Sequence, residues 1–169
     1  KLTTQEKNLN LLKMKMVMNK FWLILIILTV SISCSEHGEI YMTPIDNLWK
    51  KDNNKVLEFE IHDSQTPKNI TFIVRHNNEY PYSNLFLISS VKNPKNEIVK
   101  TDTLQYILAK PNGEWLGNGF GSVKEILLQY KNNYLFPNNG KYQIEIKHGM
   151  RADELKGMED IGIKIENVN

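Results

Sequence analysis

The chain has 169 residues and a formal net charge of +2, and this charge is unevenly distributed. Residues 1–33 carry five lysines and one glutamate, which leaves 16 basic and 18 acidic residues in residues 34–169 and a net charge of −2 there. A nucleic-acid-binding domain needs a basic face of its own, and nothing in this composition indicates one, so we expect no nucleic-acid partner. The 136 residues from Cys34 to Asn169 are enough for one domain with its own hydrophobic core.

The first element is an uncharged apolar segment, Phe21 to Val30, with a lysine directly before it and small or modest residues after it. A basic region, a short apolar region and a small-residue cleavage site, in that order, are typical of an export signal. A bilayer-spanning helix needs about 20 apolar residues, so this segment is too short for one. The alternative, a buried core helix, leaves the lysine-rich flank and the small-residue exit unexplained.

Cys34, the only cysteine in the sequence, makes this signal more specific. The segment resembles a bacterial lipoprotein signal, in which a lipobox ends in the cysteine that becomes the lipidated mature N-terminus. Ser33 and Ile32 fit the two positions before the cysteine, whereas Ser31 departs from the usual leucine. Several acyl chains on Cys34 would hold a soluble domain at a bilayer, because a single chain binds only marginally. We therefore expect residues 1–33 to be a leader and lipoprotein signal peptide.

Residues 34–47 are predicted to be the lipidated N-terminus and a tether, with residues 48–169 forming the domain. Gly38 and Pro44 support this boundary because both residue types interrupt regular structure. The acidic residues just after Cys34 partly resemble a surface-export signal found in the Bacteroidota. The periplasmic face and the cell-surface face of the membrane therefore both stay open.

Beyond residue 47 the hydrophobic pattern has a period of two, which is typical of half-buried β-strands. Polar turns such as residues 93–96 separate the segments, and the pattern contains no long amphipathic helix. We therefore predict an all-β fold of seven to nine strands, an antiparallel, jelly-roll-like β-sandwich after the N-terminal signal segment. The predicted strands lie at residues 57–61, 70–74, 85–91, 98–108, 142–146 and 161–165, and residues 123–130 are ambiguous between a strand and a short helix.

The sequence contains no recognisable catalytic or metal-binding motif. Its four histidines lack metal-site spacing such as H-E-x-x-H, and no G-x-S-x-G motif is present. The glycine-rich residues 117–121 lack both the βαβ setting and the G-x-G-x-x-G spacing of a dinucleotide site, so a tight loop is predicted. His76 is expected to start a polar loop. We expect no enzymatic activity, no metal and no cofactor other than the covalent lipid on Cys34.

Aromatic residues near the predicted loops give the best argument for ligand binding. Exposed rings on a β-sandwich can stack on sugars, as in carbohydrate-binding modules, whereas buried rings would close the ends of the sandwich. A glycan-binding surface lipoprotein is therefore the alternative function. The aromatic residues concerned are Trp49, Tyr80, Tyr82, Trp115, Tyr130 and Tyr134.

Three sequence blocks point to a family: NNEYPYSNLFL at 77–87, PNGEWLGNGFG at 111–121 and HGMR at 148–151. Shorter stretches that contribute to the same pattern lie between and after these blocks, at 102–104, 136–142 and 157–166. Together they resemble the GldH family of gliding-motility lipoproteins of the Bacteroidota, with Gly149 at a position where that family usually has a small residue such as alanine. The resemblance implies an outer-membrane lipoprotein needed for gliding and linked to type IX secretion, and it implies no catalytic residues.

We therefore predict a lipid-anchored accessory protein of the gliding and type IX secretion machinery that acts by protein–protein interaction. Its expected contacts are the membrane, through the lipid anchor, and outer-membrane or periplasmic proteins of that machinery. The lipidation site is Cys34. The candidate interaction residues are Tyr82, Glu114, Trp115, Phe120, His148 and Arg151.

Overall fold

The computed structural model describes Met14 and residues 38–119 and 121–168, so the predicted signal segment and Cys34 lie outside the described residues. Residues 38–119 and 121–168 form eight β-strands and no helix. The strands are β1 (Glu39–Lys50), β2 (Lys55–Ile61), β3 (Lys68–His76), β4 (Asn84–Lys92), β5 (Ile98–Ile107), β6 (Lys124–Tyr134), β7 (Gly140–His148) and β8 (Glu154–Asn167).

The strands form two four-stranded sheets with the orders β1-β8-β3-β6 and β2-β7-β4-β5. Every pairing is antiparallel. This order, in which each sheet takes strands from both halves of the chain, is that of a jelly roll built from two Greek keys. The predicted class, an all-β antiparallel sandwich of jelly-roll type, is confirmed.

The core lies between the two sheets and follows directly from the alternating pattern. In β4, Leu85, Leu87 and Val91 are buried and alternate with half-buried residues. Aromatic pairs join the layers, as where Phe72 of β3 and Tyr106 of β5 pack edge to face with 6.3 Å between ring centroids. Burying a side chain of this size contributes about 1.5–3 kcal/mol, so the apolar interior supplies the main stabilisation.

β1 corrects the predicted tether, because residues 39–47 belong to a strand rather than to a linker. Pro44 suggested a break, but β1 is an edge strand, and an edge tolerates proline because the missing N–H interrupts no bond on its open side. The register shifts between Pro44 and Asn47, where Asp46 and Asn47 have φ angles of 62° and 69°. This bulge absorbs the irregularity, and pairing with β8 continues on both sides of it.

The topology sorts the loops to two ends of the sandwich. We call the end with loops 62–67, 93–97 and 135–139 the proximal end, because β1 starts near it. There the Asn139 side chain accepts a hydrogen bond from the Ser64 N–H (2.8 Å) and donates one to the His62 carbonyl (2.7 Å).

The other end, with loops 51–54, 77–83, 108–123 and 149–153, is the distal end. Its loops are joined by backbone hydrogen bonds from Leu108 to Ser83 (2.7 Å) and from Lys51 to Asp153 (2.8 Å).

Candidate functional site

The predicted interaction residues come together at the distal end, although they are far apart in the sequence. Tyr82 lies in loop 77–83, Glu114 and Trp115 lie in loop 108–123, and Arg151 lies in loop 149–153. His148 is the last residue of β7, which ends there. Phe120 lies outside the described residues. The fold thus converts three separate sequence blocks into one surface.

An aromatic cluster of His76, Tyr80, Tyr82 and Trp115 links the β3–β4 loop to the β5–β6 loop. Trp115 packs on His76 with 4.4 Å between ring centroids, and Tyr80 lies 5.7 Å from Tyr82 by the same measure. His76 is the fully buried last residue of β3, so the prediction that it starts a polar loop was wrong. The pKa of His76 is lowered, chiefly because burial disfavours the charged ring.

Exposure separates the rings that close the sandwich from the ring that can meet a ligand. Trp49, Tyr80 and Tyr130 are buried, and Trp115 and Tyr134 are half-buried. The Tyr80 hydroxyl donates to the Asn84 carbonyl (2.8 Å), which fixes this ring in the cluster. Of the six aromatic residues considered for sugar stacking, Tyr82 alone is exposed, at 37%. A sugar-binding platform of several exposed rings is therefore not formed by these six side chains.

A cleft of about 440 Å³ opens beside Tyr82. Two hydrogen bonds of the Phe86 backbone hold the walls of the cleft together. The Phe86 carbonyl accepts one from the Gly149 N–H (2.7 Å), and the Phe86 N–H donates the other to the Met150 sulfur (3.4 Å). A Cβ atom at Gly149 would lie 3.3 Å from the Cβ of Phe86, so glycine permits this close approach. The lining residues are Tyr82, Phe86, Gly149, Met150, Arg151 and Ala152.

Arg151 gives this cleft its charge. The sequence has two arginines, and Arg75 is held by Glu125 (2.7 Å) and Asp160 (3.8 Å) on the surface of the sheet. Arg151 is exposed and forms no ion pair with any described carboxylate. A guanidinium offers five donors in a planar fork that suits a carboxylate. Of the two arginines, Arg151 is thus the one whose guanidinium is available to pair with a carboxylate of a partner.

Glu114 has a mainly local role. Its carboxylate pairs with Lys110 at 2.9 Å, and its backbone carbonyl accepts a hydrogen bond from the Lys110 N–H at 2.8 Å. An exposed pair of this kind contributes about 0–1 kcal/mol, so it shapes the loop more than it stabilises the fold.

His148 is buried, with 1% of its surface exposed, so the expectation that it contributes directly to an interaction surface was wrong. The alternation of β7 places Tyr142, Ile144, Ile146 and His148 on the inward face. Its ring packs edge-on against Trp49, with 5.5 Å between centroids. Burial is the main cause of its lowered pKa. His148 therefore belongs to the packed interior beneath the HGMR segment and not to its exposed surface.

Sequence reasoning missed the contribution of Phe86 to the cleft. Its neighbours Leu85 and Leu87 point into the core, so the period of two places Phe86 on the outward face of β4. An aromatic residue at an outward strand position was the signal that could have identified it.

The described residues contain neither a metal site nor a membrane-spanning helix. Within residues 38–119 and 121–168, no three His, Cys, Asp or Glu side chains are placed to hold a metal ion. No helix in the described part of the chain has the length and apolar character that crossing a bilayer requires.

The fold and the distal end define a jelly-roll module with an aromatic cleft that carries one open arginine. Residues 39–165 match the family described as GldH lipoprotein. The chain belongs to this family of lipoproteins, which are lipid-anchored, membrane-associated proteins of gliding motility.

Two curated relatives agree with this assignment. A gliding motility lipoprotein GldH homolog of Christiangramia forsetii is 44% identical over 125 residues, which are 70% of this chain and 76% of the relative. The gliding motility lipoprotein GldH of Flavobacterium johnsoniae is 36% identical over 129 residues, 72% of this chain and 79% of that protein.

Likeness to solved structures is weak. The VP2 subviral particle of infectious bursal disease virus has a TM-score of 0.35 at 14% identity and covers 78% of this chain and 34% of the viral chain. A likeness at this level carries no argument about function.

Proposed function

We propose that this protein is a lipid-anchored accessory protein of the outer membrane that serves the gliding and type IX secretion machinery through protein–protein interaction at its distal end. The observation that carries the proposal is the convergence of Tyr82, Trp115 and Arg151, from three separate loops, on one end of the sandwich. Membership of the GldH lipoprotein family supports the link to gliding.

The lipid on Cys34 is the membrane attachment in this proposal. Acyl chains bind a bilayer in proportion to their buried methylene groups, at about 0.8 kcal/mol each, and several chains together hold a protein stably. The acidic and basic residues from residue 34 onward nearly balance, so charge alone would attract the domain to a membrane only weakly. The anchor therefore determines location and the domain determines recognition.

The residue types at the distal end suit protein recognition. Tyrosine, tryptophan and arginine dominate the residues whose truncation costs most in protein interfaces. The aromatic cluster positions Tyr82 before any partner arrives, which lowers the entropy lost on binding. Arg151 adds a charge that can pair with a partner's carboxylate. No catalytic step is needed.

The test uses a gliding strain whose own copy is deleted and replaced by variants. Tyr82→Ala combined with Arg151→Ala should abolish spreading and remove outer-membrane proteins from a detergent pull-down, while the amount of membrane-bound protein stays unchanged. The matched control is Leu127→Ala with Lys141→Ala, two exposed positions outside the distal end, and it should behave as wild type.

Normal spreading and an unchanged pull-down of the Tyr82/Arg151 variant would overturn the assignment of the distal end. Micromolar binding of one polysaccharide on a glycan array, lost in the same variant, would favour the glycan-binding alternative.

A further inference from the structure

The length of chain between the anchor and the first strand limits how the domain meets the membrane. Four residues separate Cys34 from Glu39, where β1 begins. A fully extended chain spans about 3.6 Å per residue, so the Cα atoms of Cys34 and Glu39 lie within about 18 Å of each other.

Glu39 lies near the proximal end. It pairs with Ile165, two residues before β8 ends at Asn167 beside Lys68. From Glu39 the strand runs toward the distal end over 12 residues, which is about 36 Å at about 3.3 Å per residue. The attachment point is therefore held near the proximal end and cannot reach the distal end.

The proximal end also carries exposed apolar side chains. Within residues 38–119 and 121–168, five large apolar side chains are more than half exposed, and three of them, Ile40 (58%), Ile98 (61%) and Leu135 (55%), lie at this end. Leu135 starts loop 135–139, and the buried Phe136 next to it fixes that loop to the core.

We propose that the proximal end rests on the bilayer that holds the anchor, with Leu135 entering the headgroup region, and that the distal end points away from the membrane. The inference rests on the proposed lipid at Cys34. A few apolar side chains bind a membrane weakly by themselves, but a short tether makes the contact intramolecular and raises its effective concentration. The cleft with Tyr82 and Arg151 is thereby presented to partners at a distance from the membrane surface.

The experiment uses the fact that Cys34 is the only cysteine and is blocked when lipidated. Leu135→Cys, Leu127→Cys and Tyr82→Cys are introduced singly into the full chain, spin-labelled, and reconstituted in vesicles of phosphatidylethanolamine and phosphatidylglycerol. Collision rates of each label with oxygen and with a water-soluble nickel chelate are measured. Leu127, on the face of a sheet, is the matched control because its exposure of 56% equals that of Leu135 within one percent.

The label at position 135 should collide more with oxygen and less with nickel than the labels at 127 and 82, which should report water. If the protein floats with the vesicles but position 135 is as aqueous as position 127, or position 82 is shielded from nickel, this inference is overturned and the anchor stands. If the unlabelled protein does not float, the lipid anchor and this inference are overturned together.

Discussion

Gly157 occupies a position on β8 that other residues fit only with strain. Its φ is +76°, and an added Cβ would lie 2.2 Å from the backbone nitrogen of Tyr80. Its carbonyl accepts a hydrogen bond from the Asn77 N–H (2.8 Å), and its N–H donates to the Asn47 side chain (3.1 Å). This glycine thus joins β8 to the loop that carries Tyr82.

Replacing Gly157 with alanine should destabilise the fold and displace loop 77–83. The left-handed backbone costs an alanine roughly 1–2 kcal/mol, and the clash with Tyr80 adds to that. The control is Gly113→Ala, where φ is +85° but no atom lies within 4 Å of the added Cβ. Urea unfolding followed by tryptophan fluorescence should give a larger loss for Gly157→Ala, and equal losses in the two variants would contradict the clash.

Two buried histidines of the described sandwich, His76 and His148, predict a pH dependence of stability. Burial lowers the pKa of His148 and of His76 below the usual value near 6.5, with smaller contributions from the charges of Lys51 and Lys124 respectively. In the unfolded chain both rings take up a proton as the pH falls through about 6.5, whereas in the folded state they stay neutral to lower pH. The stability that depends on these two neutral rings is therefore fully present above about pH 6.5 and declines as the pH falls below that value.

Each of these histidines can contribute a loss of up to about 1.4 kcal/mol per pH unit in that window. His148→Phe should remove its share and flatten the decline in unfolding free energy between about pH 6.5 and 5. The exposed His62 provides the control, His62→Gln. A decline as steep in His148→Phe as in wild type would exclude His148 as a source.

At the scale of the strands, the period of two predicted the strands that bury one face and missed β1, which depends on pairing with β8. β2, β4 and β7 follow the period of two, because one face of each is buried against the other sheet. β1 was missed because its local signals, Gly38 and Pro44, indicate a break, whereas its pairing with β8 maintains the strand. Extending the alternation of β7 by one step would have placed His148 inside.

The candidate site was predicted only in part for a related reason. The blocks around Tyr82, Trp115 and Arg151 were identifiable in the sequence, but their meeting at one end depends on strand order. Strand order in a Greek key arises from pairings between distant segments, such as β1 with β8 and β3 with β6, and no local pattern specifies those pairings. The cleft between β4 and the β7–β8 loop could therefore be found only in the folded chain.

β5 and β6, the edge strands of the two sheets on one side of the sandwich, are joined by an ion pair. Lys131 of β6 lies 2.8 Å from the carboxylate of Asp102 in β5, and the Tyr130 hydroxyl donates to the same oxygen at 3.0 Å. Burial acts to raise the pKa of Asp102, but these hydrogen bonds outweigh it and hold the pKa below its usual value. Lys100 lies farther from Asp102, at 3.7 Å, and is more exposed.

Lys131→Met should therefore destabilise the fold by about 1.5–3 kcal/mol, the range for hydrogen bonds to charged groups, because it leaves a partly buried carboxylate without its nearest cation. Lys100→Met removes the same charge from an exposed position and should cost less than about 1 kcal/mol. Urea unfolding at pH 7 measures both. Equal losses of unfolding free energy in the two variants would contradict the prediction that the ion pair between β6 and β5 contributes more than the exposed pair with Lys100.

At the scale of the whole molecule, the proposed functions assign attachment to one end of the sandwich and recognition to the other. The proximal end holds the start of β1 and three exposed apolar side chains, and the distal end holds the cleft and the aromatic cluster. Because the two ends are separated by the length of β1, changes at one should leave the other unaffected. Attachment and partner binding can therefore be tested separately.

Cys34→Ala is the test of attachment for the whole protein. The apolar side chains of the proximal end are too few to hold the domain at a membrane without acyl chains. The variant protein should therefore be absent from the membrane fraction, and cells that carry it should no longer glide. Its circular dichroism spectrum should keep the β-sheet signal of wild type, because the described strands form a sandwich with a hydrophobic core between them. Ser35→Ala, next to the proposed anchor, is the control and should stay membrane-bound. A Cys34→Ala protein that still floated with membranes would show that the chain is held by something other than lipid on this cysteine.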